Sequence, residues 1–205
     1  MHLSSSFAPI KQSCFGSDVF NFYNSFVFLS KNGCCKMKIM EASLNDVASI
    51  GRLVNSAYRG DSSRKGWTTE ADLLDGIRID EEMLQQYIED SDSAILKCMN
   101  DDEQITGCVY LKKQGSHLYM GMLTVAPELQ AKGIGKMLLQ AAEAEASKKG
   151  CESIVITVIT RRHELVDWYK RHGFVETGEK QPFPENERFG KPKFPLEFLI
   201  MEKQL

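Results

Sequence analysis

From Met37 onward the apolar and polar positions change period segment by segment, and the changes predict alternating strands and helices. "MKIMEA" reads as a short strand. Ser43 with Asp46 three residues on forms a capping box, and Val47, Ile50, Val54 and Ala57 fit a 3.6-residue period, which predicts a helix ending near Tyr58. A Gly-, Ser- and Arg-rich connection, "RGDSSRKGW", leads to a second capping box at Thr69 and Asp72, predicting helical segments through "EADLLDGI" and "EEMLQQYIED". "SAILKCM", "QITGCVYLKK" and "HLYMGMLTV" read as strands joined by the tight polar turns "NDDE" and "QGS", an antiparallel meander. An alanine-rich amphipathic helix follows, then a strand, "SIVITVI", a helix, "ELVDWYKRHG", and an alternating strand, "LEFLIME". The predicted order βααβββαβαβ makes an α/β protein with a mixed sheet and helices packed on its faces.

Residues 1–36 follow a different pattern. They are rich in Ser, Phe and Asn, poor in charge and without a sustained period, so they read as an extension, disordered or belonging to an upstream start, with the folded domain expected over 37–205. The segment has no basic n-region, no long apolar run and no arginine, which argues against a secretory signal or an organellar transit peptide. No run of about twenty apolar residues occurs, so no membrane-spanning helix is expected. The formal charge is -3, from 25 Lys plus Arg against 28 Asp plus Glu, which removes the basic excess expected of a partner for nucleic acid or an anionic membrane and leaves a small amine unrepelled. The six cysteines form no C-x-x-C pair and no zinc-spaced cluster with histidine, so no metal is expected and the thiols fit a reducing, cytoplasmic setting.

The chemistry concentrates in "QAKGIG", Gln130 to Gly135, between a strand and a helix. A helix start offers unpaired N–H groups and partial positive charge, and glycines let a phosphate come close to that backbone. Lys132 and Lys136 add charge beside it. A plain strand-to-helix turn using glycine for its dihedral angles is the competing reading. A Rossmann fingerprint needs glycine where Leu138 stands, and a Walker A loop needs Ser or Thr where Met137 stands, so neither applies.

The run "LTVAPELQAKGIGKMLL" resembles the acetyl-CoA signature of the GNAT N-acetyltransferase superfamily, Gln/Arg-x-x-Gly-x-Gly/Ala after a strand ending Leu-x-Val. "WYKRHGF" is similar to the family's Tyr-x-x-x-Gly-Phe element, with Tyr169, Gly173 and Phe174 in place. The resemblance implies a central, mostly antiparallel twisted sheet of about six to seven strands flanked by helices. It also implies direct transfer of an acetyl group from acetyl-CoA to a primary amine of a small molecule or peptide, by a monomer or homodimer. In the family the backbone of Leu123, Thr124 and Val125 would pair with the pantetheine arm. The amides of Ala131, Lys132, Gly133, Ile134, Gly135 and Lys136 would hold the pyrophosphate, and Gln130 would close the turn. A backbone N–H near Val125 would stabilise the oxyanion and Tyr169 would protonate the departing thiolate, a role open to a phenol whose pKa of about 10 lies near the ~8.5 of a thiol. The competing reading of Tyr169 is a core aromatic on an amphipathic helix beside Trp168.

Departures from the family pattern leave parts of the site open. Many relatives carry a glutamate on the strand before the loop, and "HLYMGMLTV" has no carboxylate. Glu70 and Asp72, placed by the prediction at a helix start, are candidates for the base or for ordinary capping carboxylates. His117 is a further proton relay candidate or a strand end. Arg162 stands where relatives have an asparagine, either facing phosphates or lying in solvent. "YRGDSSRKGWTTE" and the Pro- and Gly-rich tail are expected to frame the acceptor, making Tyr58, Arg59, Trp67 and Phe189 substrate candidates. A CoA-binding module without catalysis, or a transferase for another acyl-CoA, keeps the same motifs.

Overall fold

The computed structural model describes residues 19–22, 25–29, 36–184, 188 and 190–205; the substrate candidate Phe189 lies outside them. Each strand of the predicted meander forms: β5 (Ser93–Met99), β6 (Ile105–Gln114) and β7 (His117–Val125) pair antiparallel in that order. β3 (Lys36–Glu41) flanks β5 on one side. On the other side β8 (Ser153–Ile159) joins β7 in parallel, the one parallel pair among the described strands, and β11 (Glu197–Gln204) and β9 (Val175–Pro182) complete the row. Two strands of the leader segment, β1 (Val19–Phe22) and β2 (Ser25–Leu29), form a hairpin that pairs with β3, so the sheet has nine strands, seven of them from residue 36 onward.

Helices cover both faces because β5, β6 and β7 send apolar side chains both ways. On one face α1 (Val47–Tyr58) and α3 (Glu81–Glu89) pack over Ile95, Cys108 and Tyr110. On the other, α4 (Ile134–Lys148) and α5 (His163–Arg171) pack over Leu96, Val109, Leu111 and Leu118. Full burial of one Leu, Ile or Val is worth roughly 1.5–3 kcal/mol, so this two-sided core is the main source of stability. The first capping box is present: the backbone N–H and the hydroxyl of Ser43 both donate to Asp46, at 2.8 and 3.0 Å, and a 3-10 turn (Leu44–Asp46) leads into α1. Lys97 on β5 pairs with the same carboxylate at 2.7 Å, tying the helix start to the sheet.

Two expectations fail. No helix starts at Thr69: residues 71–73 make a single turn closed on the Glu70 carbonyl, and the chain then extends into β4 (Leu74–Asp75), which pairs with β10 (Lys191–Pro192). Tertiary partners override the local capping pattern, since Asp72 turns outward to Arg64 and the Glu70 side chain turns inward. The real helix start is Asp80, whose carboxylate accepts the Met83 N–H at 2.7 Å. The connection "RGDSSRKGW" contains a one-turn helix, α2 (Gly60–Ser63). β9 was not predicted because every residue of "VETGEKQP" is exposed; an edge strand covered on neither face has no alternation to read.

Candidate active site

The site begins at a kink in β7. The register with β6 slips by one residue between the Cys108 and Tyr110 partners, and Met122 sits at φ 53°, the left-handed region. A bulge of this kind reverses which face the following side chains meet. Leu118 and Met120 point to the α4 and α5 side, Met122 points to the α1 and α3 side, and Leu123 and Val125 return to the first. A bulged strand also bends, and the pairing of β7 with β8 stops at Tyr119. Beyond that residue the β8-facing edge of β7 leaves its neighbour, and the gap becomes a cleft.

One side of this gap is the glycine loop. Ala131 and Gly133 lie at φ 63° and 89°, and Gly133 caps α4, so the unpaired first-turn amides of a fifteen-residue helix begin beside the cleft. A β-carbon on Gly133 would meet nothing within 4 Å, so what demands glycine there is the dihedral angle. The resulting cleft, about 510 Å³, is lined by Leu123, Val125, Gln130, Gly133, Gly135 and Lys136, with Trp67, Trp168 and Arg171 opposite. Of the expected cofactor residues, Ala131 and Ile134 also line it. Thr124 is buried with its hydroxyl on the Met122 carbonyl, leaving only its backbone for a ligand, and Lys132 is exposed outside the lining.

Gln130 does more than close a turn. Its side-chain oxygen accepts the Trp67 N–H at 2.8 Å, and its nitrogen donates to Thr68 at 2.8 Å and to the Val125 carbonyl at 3.2 Å. A β-carbon on Gly66 would fall 2.6 Å from Gln130, so that glycine is required for the approach. Residues 66–68 thus strap across the loop. Arg162 holds the same strap from the other side, donating to the Thr68 and Trp67 carbonyls at 3.2 and 3.3 Å. Neither reading offered for Arg162 survives: it is 3% exposed and directed into the protein, away from phosphates and solvent alike.

The second hollow, about 230 Å³, opens on the opposite side of the bulge, and Leu123 and Leu165 line both. Tyr58, Arg59 and Glu70 line it as expected. Trp67 belongs to the cofactor cleft instead, and Asp72 is exposed and paired with Arg64 at 2.7 Å. Glu70 is buried between two guanidiniums, bonded to Arg59 through one oxygen and 3.6 Å from Arg162 through the other. One oxygen is bonded to Arg59 and the other faces Arg162 at ion-pair distance, so Glu70 holds the two guanidiniums together. His117 is at the start of β7 and outside this lining. Sequence reasoning missed Arg78, Tyr87, Tyr110, Tyr119, Phe183 and Phe198, which come to the hollow from separate elements. Only the alternation of Tyr119 and Gly121 along β7 hinted at an inward face.

Tyr58 joins the hollow to the bulge, donating its hydroxyl to the Leu123 carbonyl at 2.7 Å. Burial, with the Glu70 charge adding to it, pushes this phenol up to about 12. Tyr169, 6% exposed, packs edge-on to Trp168 and Phe174 and also lines the hollow. Its pKa is raised, mainly by burial. Among the described residues its hydroxyl has no hydrogen-bond partner, so it is available to a group in the cavity.

A sheet split at a bulge, with a phosphate-competent helix start on one side and a side-chain hollow on the other, defines an acyl-CoA transferase type of architecture. The family model for the acetyltransferase (GNAT) domain matches residues 70–186, and the chain belongs to that family. Acetyltransferase Atu2258 of Agrobacterium fabrum is 34% identical over 83 residues, 40% of this chain and 59% of that protein, so the match spans under two thirds of the relative's length. Solved structures share the fold at low identity. The PaiA N-acetyltransferase of Thermoplasma acidophilum, in complex with coenzyme A, superposes at a TM-score of 0.59 with 21% identity, covering 82% of this chain and 99% of that one. The ribosomal-protein-alanine N-acetyltransferase of Brucella melitensis gives 0.61 with 18% identity, covering 82% and 99%.

Proposed function

We propose that this protein is an N-acetyltransferase that moves the acetyl group of acetyl-CoA to a primary amine of a small molecule or peptide. The observation that carries the reading is the bulge at Met122, which frees the edge of Leu123–Val125 where the two hollows meet. The CoA complex of a protein with the same fold supports acetyl-CoA as the cosubstrate. Bound there, acetyl-CoA supplies an activated thioester. The amides of Ala131 to Lys136 hold its pyrophosphate, with Lys136 and Arg171 beside them. The freed backbone of β7 orients the pantetheine arm, and the Tyr58 hydroxyl fixes the Leu123 carbonyl. The neutral amine attacks the thioester carbonyl, and as the C–S bond breaks Tyr169 donates its proton to the sulfur and regains one from the nitrogen that the attack made cationic; burial raises the phenol above its usual range, so the two transfers are coupled rather than passing through a free phenolate.

The acceptor must arrive as a neutral amine. Among the described residues the acceptor hollow contains one carboxylate, Glu70, already engaged twice, so the proton of the ammonium leaves to solvent. The rate should then follow the neutral fraction of the amine, kcat/KM rising about tenfold per pH unit below the amine pKa. The test is CoA release from acetyl-CoA across a panel of polyamines, aminoglycosides, amino acids and peptides. Acetyl-CoA binding with no turnover on any amine would overturn the catalytic reading in favour of a binding module, and a faster rate with another acyl-CoA would change the donor. We also take 37–205 as the catalytic domain. Among the described residues no helix is long and apolar enough to cross a membrane.

A further inference from the structure

The acceptor hollow has a charge distribution unsuited to a simple cationic amine. Its described lining contains three arginines, Arg59, Arg78 and Arg162, against one glutamate. Glu70 lies between Arg59 and Arg162 and is used by them. Arg78 is different. It is half-buried just after β4, with its guanidinium carbon 5.8 Å from the centre of the Tyr58 ring, and among the described residues its side chain has no ion pair or hydrogen bond. Its backbone N–H is secured separately, donating to Asn55 at 2.6 Å, so the side chain is not needed to fix the loop. The surrounding wall is aromatic: Tyr58, Tyr87, Tyr110, Tyr119 and Phe198. A guanidinium in such a wall recognises a carboxylate or a similar planar anion through paired N–H donors.

We propose that the acceptor is an amine that also carries a carboxylate, bound by Arg78 while its amino group reaches the bulge at Leu123. This rests on the reading of the hollow as the acceptor site. Tyr58 sets the spacing, because its hydroxyl is on the Leu123 carbonyl and its ring lies beneath Arg78. Amine and carboxylate are therefore separated by no more than the reach of one tyrosine side chain, the range of an amino acid with an apolar or aromatic body. Polyamines and aminoglycosides, cationic throughout, would meet unpaired positive charge in the same place.

The test compares the common L-amino acids with their carboxamides and with the corresponding decarboxylated amines, using the full chain and acetyl-CoA. Losing a hydrogen bond between charged groups should lower kcat/KM about tenfold or more from acid to amide. The amide has the less basic amine, so amine ionisation works against the expected result. Arg78→Ala should remove the preference, and Arg78→Lys, which keeps the charge without the fork, should restore part of it. Equal kcat/KM per neutral amine for acid and amide in the parent, or a preference that survives Arg78→Ala with an unchanged melting temperature, would overturn the proposal. Saturation-transfer NMR of the same acids and amides with the CoA-loaded protein separates the two readings. Acid binding that depends on Arg78 without turnover would keep the anion site and sink the transferase reading. Binding that does not distinguish acid from amide, or no binding of either, would sink the anion site.

Discussion

The cofactor cleft and the acceptor hollow meet at Leu123, yet they are built by different means. The cleft is a backbone device: a strand edge released by a bulge and a helix start whose unpaired amides begin beside the cleft, after Ala131 and Gly133 at positive φ. The hollow is a side-chain device, assembled from α1, β4, α3, β6, β7, β8, α5 and β11, with Glu70 held between Arg59 and Arg162. Backbone recognition tolerates change in most side chains, whereas a buried ion network fails when one member is altered. Variants should therefore divide sharply between the two regions.

The largest effect is expected in the hollow, at Tyr169. Tyr169→Phe removes one oxygen and retains the packing against Trp168 and Phe174, and general acid catalysis is worth about 10² to 10⁴ in rate. Turnover at neutral pH should fall by that factor while acetyl-CoA affinity holds. The parent phenol is raised by burial and stays protonated through the assay range, so any pH dependence of the defect comes from the leaving thiol. The defect should shrink as pH approaches the thiol pKa of about 8.5. Parental kcat at pH 7 would reduce Tyr169 to a packing residue.

Glu70→Gln tests the acceptor side. Breaking a buried ion pair costs about 3–5 kcal/mol because a charge is left uncompensated, and here two guanidiniums lose their carboxylate. Chemical denaturation should show that loss. A variant with parental stability but no turnover would return Glu70 to the role of base. On the cofactor side, Gly135→Leu should act more mildly and only on binding. A β-carbon there would rest in ordinary contact with Trp168 at 3.6 Å, so the fold survives while the longer side chain fills the cleft. Calorimetry should find acetyl-CoA affinity reduced at least about tenfold, or 1.4 kcal/mol; unchanged affinity on a folded variant would sever the loop from the pyrophosphate.

The smallest effect is expected far from both hollows. A chain beginning at Met37 loses the hairpin that pairs along β3, but β3 keeps its pairing with β5. It should melt cooperatively and bind acetyl-CoA as before. Loss of the cooperative transition would make the leader part of the domain.

The cleft was legible in advance because its parts are contiguous: "LTVAPELQAKGIGKMLL" contains strand, loop and helix start, and glycine dihedral freedom is a local property. The core strands were legible too, since β5, β6 and β7 are marked by period and by polar turns. Asp72 was misread because its three-residue spacing from Thr69 has a local meaning that distant partners overrode, and Glu70, next to Thr69, was read as part of the same helix start. The site's remaining residues left almost no local trace. Tyr87 reads as an ordinary helical residue and Arg78 as a loop cation, until folding brings both beside Tyr58.

The sequence by itself determined the central strands, the helices on their two faces and the glycine loop ahead of α4, each of which depends on neighbours within a few residues. Only the tertiary structure decided where β7 breaks step. A bulge is one extra residue set against a partner strand, so it exists in the pairing of Cys108 and Tyr110 with Thr124 and Gly121 and not in β7 alone. That one-residue slip opens the sheet, turns Met122 to the opposite face, and decides which side chains line the second hollow.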